Sequence, residues 1–125
     1  MGELLLDTSV LIDFLIGGRS LGWIERRVAG DRARISISIV TAAEYLVKGS
    51  AATLQRLLDS GSLHLHGSAD LSIPTRAARI RAETGMALPD AFIVATAEEN
   101  ASVLVTLDET MARHARRWVD VEVPS

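Results

Sequence analysis

Short apolar runs and longer helix-patterned segments alternate along the 125-residue chain, which predicts an α/β fold with a parallel sheet of about five strands flanked by helices. Three observations carry this expectation. Runs such as Leu4-Leu5-Leu6 and Val103-Leu104-Val105 have the length and composition of strands buried on both faces. The segments between them space their apolar residues for one helical face, as Leu54, Leu57 and Leu58 do. The connections are short and marked by Gly, Pro and Asp. Length and a composition of 48% hydrophobic and 23% charged residues suit one globular domain over residues 1–125.

Each element follows from local chemistry. Glu3–Leu6 is expected as the first strand, because its apolar run is followed by a turn-former. Helices are expected over Val10–Leu15, stopped by Gly17-Gly18, and over Leu21–Ala29, stopped by Gly30-Asp31. Ile35–Val40 alternates Ile and Ser, a strand pattern. Thr41 is expected to open a short helix that Gly49 closes, and Ala51–Leu58 forms the next. Leu63–His66 is a weak strand. Pro74 starts a helix through about Glu83, closed by Gly85, and Pro89 starts another through about Glu99. Val103–Thr106 is a strand, Asp108–Arg117 a helix and Val119–Val123 a last strand.

Composition excludes several classes. Cysteine is absent, which removes disulfides, thiolate nucleophiles and Cys-based metal sites. Thirteen cations face sixteen acids for a net charge of -3, so the chain is not a globally basic nucleic-acid binder. Lys48 is the only lysine, and local arginine patches stay open. No apolar run reaches the ~20 residues of a membrane span. Leu4–Ile16 is broken by Asp7 and Asp13 and lacks the basic start of a signal peptide, so a cytoplasmic location is expected.

In open parallel sheets, ligands bind beyond the carboxyl ends of the strands. Asp7 follows the first strand, Glu44 lies just past the second, and Asp108 follows Val103–Thr106. Asp90 stands in the first turn of the helix begun by Pro89. Each acid has a local reading. Asp7 and Asp108 suit N-caps, Thr41-Ala42-Ala43-Glu44 fits a capping box, and Asp90 complements a helix dipole. Together they conflict, since two such charges about 4 Å apart repel by about 4 kcal/mol at an effective dielectric of 20. A hard divalent cation, Mg²⁺ or Mn²⁺, resolves the conflict and supports phosphoryl chemistry.

These residues carry a resemblance. Leu5-Leu6-Asp7-Thr8-Ser9-Val10-Leu11-Ile12 resembles the opening motif of PIN-domain ribonucleases. Ser38-Ile39-Val40-Thr41-Ala42-Ala43-Glu44-Tyr45-Leu46 with Gly49 is similar to their second acidic motif. Leu88-Pro89-Asp90-Ala91-Phe92-Ile93-Val94-Ala95-Thr96-Ala97 resembles the third, and Leu104-Val105-Thr106-Leu107-Asp108 the fourth. The likeness is greatest to VapC-type toxins of type II toxin–antitoxin pairs. It implies a single PIN-like domain acting as a metal-dependent endoribonuclease on RNA, possible targets including tRNA and other structured RNA. It further implies a cognate VapB-type antitoxin and a homodimer. Asp7, Glu44, Asp90 and Asp108 are the implied catalytic, metal-binding acids, Asp7 and Asp90 most directly. Thr8, Ser9 and Thr106 are implied as supporting hydroxyls. Two departures stand out: Met111 replaces a frequent aromatic, and the Glu44–Asp90 stretch is short, which bears on RNA specificity.

Arg113, Arg116 and Arg117 are the leading phosphate contacts, with a solvated helix face as the alternative. Arg76, Arg79 and Arg81 are weaker ones, and Arg79 has Glu83 at i, i+4. His64 and His66 share a strand face without a third ligand, and His114 is expected to face solvent. Asp13 is expected as a solvated or helix-flanking acid. Phe14, Leu15, Leu21, Trp23 and Ile24 offer an apolar groove to a partner helix. Three alternatives remain: a phospho-receiver-like signalling domain, a PIN ribonuclease of RNA processing outside a toxin–antitoxin pair, and a PIN fold kept as a binding module.

Overall fold

The computed structural model describes residues 2–67 and 69–125. In chain order the elements are β1 (Glu3–Leu6), α1 (Thr8–Leu15), α2 (Arg19–Asp31), β2 (Arg34–Ser38), α3 (Ile39–Leu46) and α4 (Ala51–Asp59). Then follow β3 (His64–His66), α5 (Ser72–Thr84), α6 (Leu88–Glu99), β4 (Val103–Val105), α7 (Glu109–Ala115) and β5 (Val121–Glu122). The strands form one five-stranded parallel sheet in the order β3-β2-β1-β4-β5. Leu5 pairs with Ser36 on one side and Leu104 on the other, which places β1 at the centre.

Alternation along β1 divides the core. Leu4 and Leu6 point into a cluster with Val10, Leu11, Ile24, Ile35, Ile37 and Val105, beneath α1, α2 and α4. Leu5 points the other way, into a cluster with Ile80, Ile93, Val94, Leu104, Met111 and Ala115 from α5, α6 and α7. Leu5, Leu6 and Leu104 are fully buried, as a strand covered on both faces requires.

The chain winds from β1 through β2 to β3, then returns to the other side of β1 for β4 and β5. The strand order therefore reverses between β1 and β4, and such a switch point opens a crevice at the carboxyl ends of its two strands. This order differs from the 2-1-3-4-5 order of receiver domains, which removes the phospho-receiver alternative.

One boundary differs in kind from the sequence reading. Ser38 ends β2 and caps α3, its Oγ accepting from the Thr41 backbone N at 3.1 Å. Ile39 and Val40 are thus helical, although their β-branched side chains extend the strand pattern. Thr41 lies inside the helix, not at its start, so the expected capping box does not form. Glu44 consequently stands in the second turn. The other differences are shifts of one to a few residues at element ends, such as the last strand shortening to Val121–Glu122. Among the described residues, no helix is long and apolar enough to cross a membrane.

Candidate active site

Asp7 leaves β1 and caps α1. Its Oδ1 accepts from the Val10 backbone N at 2.9 Å and from Ser9 Oγ at 2.6 Å. Its Oδ2 accepts from Thr106 Oγ1 at the end of β4. The carboxyl is only 4% exposed. Burial pushes its pKa above the usual aspartate value; the bonds from Ser9, Thr106 and Val10 oppose the rise, and the Asp108 charge adds to it.

Thr106 and Ser9 bind the two halves of the crevice together. Thr106 Oγ1 donates to Asp7 and accepts from the Asp108 backbone N at 3.0 Å. Ser9 Oγ donates to Asp7 and accepts from the Leu107 backbone N at 3.3 Å. Asp108 in turn caps α7, with Oδ1 accepting from the backbone N of Thr110 at 2.9 Å and of Met111 at 3.1 Å. One oxygen of Asp108 thus serves the fold, and the residue lines a pocket together with Asp90.

Glu44 arrives from α3. Thr8 Oγ1 donates to Glu44 Oε1 at 2.5 Å and lies 3.3 Å from Thr41 Oγ1. Thr41 is a supporting residue that the sequence pattern did not single out, because the capping-box reading assigned its hydroxyl elsewhere. Asp90 stands in the first turn of α6, set there by Pro89. Its pKa is raised, first by burial and then by the charges of Glu44, Asp108 and Asp7. The charges of the other three acids thus reach Asp90.

Among the described residues, no three His, Cys, Asp or Glu side chains converge into a preformed metal cage. The donor set still fits a hard cation. Mg²⁺ needs only one or two direct carboxylates and keeps its waters. Asp7 and Asp90 both resist ionisation in the free protein, which a nearby positive charge would relieve.

Other sequence-predicted residues lie elsewhere. Arg116 and Arg117 border a cavity with Ser102 and Asp120, at the amino ends of β4 and β5, opposite the acids. Arg117 also pairs with Glu83 at 3.3 Å and covers the Trp118 ring at 4.8 Å. Arg113 and Arg116 line a cavity with Glu109, Ala112 and Val123, on a face of α7 other than that of Thr110 and His114. Arg76 bridges Glu98 and Glu99, Arg79 pairs with Glu98 in place of Glu83, and Arg81 binds the carbonyls of Gly85 and Met86. Asp13 accepts from the Ser20 backbone N and hydroxyl, tying α1 to α2. Of the apolar residues expected to offer a groove, Ile24 is buried in the core, Phe14 and Trp23 pack partly buried against it, and Leu15 lines an apolar cleft with Ile12, Ile16 and Tyr45. His114, expected in solvent, is half-buried beside Asp90 and Asp108. Its neighbours in the sequence are charged, so nothing local marked it.

A family profile described as PIN domain matches residues 4–117. The chain belongs to the PIN domain family. In structure it is similar to VapBC2 from Rickettsia felis bound to a DNA fragment from its promoter, with a TM-score of 0.74 and 19% identity over 98% of this chain and 99% of that one. A toxin–antitoxin complex from Klebsiella pneumoniae is 29% identical, with a TM-score of 0.63 over 87% and 89% of the two chains. FitAcB from Neisseria gonorrhoeae is 23% identical, with a TM-score of 0.64 over 94% and 95%. No curated protein matches the sequence.

Proposed function

We propose that this PIN domain is the toxin of a VapC-type pair: an endoribonuclease that uses Mg²⁺ or Mn²⁺ to hydrolyse RNA phosphodiesters. The observation that carries the reading is the position of Asp7, Glu44 and Asp108 just past the carboxyl ends of β1, β2 and β4, near enough to Asp90 that their charges add to the rise that burial gives its pKa. Four like charges kept together, with hydroxyls spent on orienting them, suit cation-dependent chemistry on an anionic substrate. A divalent cation bound there supplies Lewis acidity for water activation and charge to steady the leaving oxygen. Asp7 and Asp90 would hold it. Glu44, exposed and oriented by Thr8, is placed to accept a proton from the attacking water. Thr106 keeps Asp7 and the Asp108 backbone in register. Water attacks phosphorus, a phosphorus–oxygen bond breaks, and the departing oxygen takes up a proton.

The same reading includes a VapB-type antitoxin and a homodimer. The Rickettsia, Klebsiella and Neisseria neighbours support the partner. So does an apolar cleft of about 690 Å³ beside Glu44, walled by Ile12, Ile16, Tyr45, Val47 and Lys48. Ile16 and Val47 are 77% and 78% exposed, a cost that a covering helix would remove. This cleft lies between α1 and α3, with Leu15 also on its wall.

The test incubates purified chain with a tRNA pool in Mg²⁺ or Mn²⁺, with and without EDTA, beside Asp7→Asn and Asp90→Asn. Cleavage lost in EDTA and in both variants, with circular dichroism unchanged, is the expected result. Equal cleavage in EDTA, or full activity in both variants, overturns the mechanism.

A further inference from the structure

We infer that the pocket between the α5–α6 loop and α7 seats the base of the nucleotide next to the cleaved phosphate, with His114 as its polar contact. The inference rests on the ribonuclease reading above and adds to it where the substrate binds and in what form.

The pocket holds about 240 Å³ and opens at one end onto Asp90 and Asp108. Met86 and Met111, both nearly buried, form its apolar walls, and Thr110 and His114 form its polar rim. Thioether sulfurs make favourable contacts with aromatic rings, so two methionines suit a planar base.

Its polar groups divide into those that hold the wall and those left for a ligand. Arg81 Nη1 donates to the carbonyls of Gly85 and Met86, both at 2.9 Å. Thr84 Oγ1 donates to Ile80 O at 2.6 Å and accepts from the Met86 backbone N at 3.0 Å. The loop wall is thereby fixed before any ligand arrives. Among the described residues, the His114 ring and the Thr110 hydroxyl have no hydrogen-bond or ion-pair partner. They lie at i, i+4 on one face of α7, while Arg113 and Arg116 line a separate cavity with Val123. The face that α7 presents to the acids therefore carries the hydrogen-bonding side chains of Thr110 and His114.

With no arginine or lysine among its lining residues, the pocket suits a base rather than a phosphate. A phosphate belongs beside the cation that the acids hold; a neutral heterocycle belongs beyond it, among methionines and hydrogen-bonding side chains. A base can enter only if it is splayed out of a helix, so the cut nucleotide lies in a single-stranded loop.

The experiment titrates the full-length protein, free of metal, with each of the four nucleoside 5′-monophosphates while following His114 ring and Met86 and Met111 methyl resonances. Saturable shifts are expected for at least one nucleotide, with affinity about tenfold weaker in His114→Ala and partly restored in His114→Gln. With RNA, His114→Ala raises KM, leaves kcat within about twofold and relaxes the preference at one flanking nucleotide, and Thr110→Val does so more weakly. Resonances that stay in place, or a His114→Ala protein with unchanged affinity, KM and preference, overturn the assignment. Wild-type protein that cleaves no RNA in Mn²⁺ overturns the ribonuclease reading itself. Wild-type cleavage with an unaltered His114→Ala variant overturns the pocket alone.

Discussion

Strand β1 carries an acid near each end, and the two ends treat it oppositely. At the amino end, Glu3 Oε1 accepts from Ser102 Oγ at 2.5 Å and lies 2.8 Å from His66 Nε2. Burial works to raise its pKa, but the Ser102 and His66 contacts outweigh that, and the carboxyl titrates below its ordinary value. At the carboxyl end, Asp7 has as many hydrogen bonds and still titrates high, because it is more deeply buried and its charged neighbour is Asp108. Hydrogen bonding alone does not decide the outcome. Depth and the sign of the nearest charge do. One end is electrically satisfied within the chain; the other holds a buried carboxyl that resists ionisation.

The sharpest way to break this contrast is Asp90→Asn. Cleavage should fall by about 10²- to 10³-fold or more, the scale of losing one preorganised electrostatic contact in an active site. The melting temperature should hold or rise, since the change removes a charge facing three others. A variant that keeps its activity, or melts well below wild type, removes the distinction between the ends.

Next in size is the cation itself. Mg²⁺ or Mn²⁺ at about 100 times its Kd should stabilise the protein by about 2.7 kcal/mol, read as a thermal shift. The shift should shrink in Asp90→Asn and persist in Glu3→Gln. An equal shift in wild type and Asp90→Asn would place the cation elsewhere.

Thr106→Val tests the hydroxyl that joins Asp7 to Asp108. It removes a buried donor to Asp7 and the acceptor of the Asp108 N–H, so denaturant unfolding should show a loss of about 1–3 kcal/mol. Cleavage should drop with it. A fully stable variant would mean that the link is dispensable.

The smallest effects concern pH. Asp7 and Asp90 have raised folded pKa values, so the folded state holds their protons more tightly than the unfolded chain does. Metal-free stability from these two is therefore present below the ordinary value of 3.8 and is lost as pH rises through the raised values. Glu3 has the opposite sign. Its contribution is present above 4.5 and is lost as pH falls through its lowered value. Unfolding at several pH values should show Asp90→Asn flattening the loss on the rising side and Glu3→Gln removing the acid-side loss, with cleavage by Glu3→Gln within about twofold of wild type. Matching pH profiles for the two variants would erase the comparison.

Much of the site was legible residue by residue. Asp7, Asp90 and Asp108 each follow a strand or a proline, and those signals are written in a few adjacent positions. Glu44 was found by the same pattern but placed one turn too early, because Ile39-Val40 reads as strand until Ser38 is seen to cap the helix. The pairing of Arg79 with Glu98 over Glu83 was not legible, since it depends on how α5 lies against α6. His114 was hidden for the same reason.

The sequence by itself determined the order of strands and helices, that the strands run parallel, and that Asp7, Glu44 and Asp108 follow strands while Asp90 opens a helix. Buried runs, helix-start residues and short connections act over a few positions and need no distant partner. Only the tertiary structure decided the strand order that opens the crevice between β1 and β4, the hydroxyl links across it, and which face each helix turns toward it. Those depend on rotation and docking of whole elements, set by side-chain packing between residues as far apart as Leu5 and Leu104. That packing sets Arg113 and Arg116 beside Val123 and Thr110 and His114 beside Asp90 and Asp108.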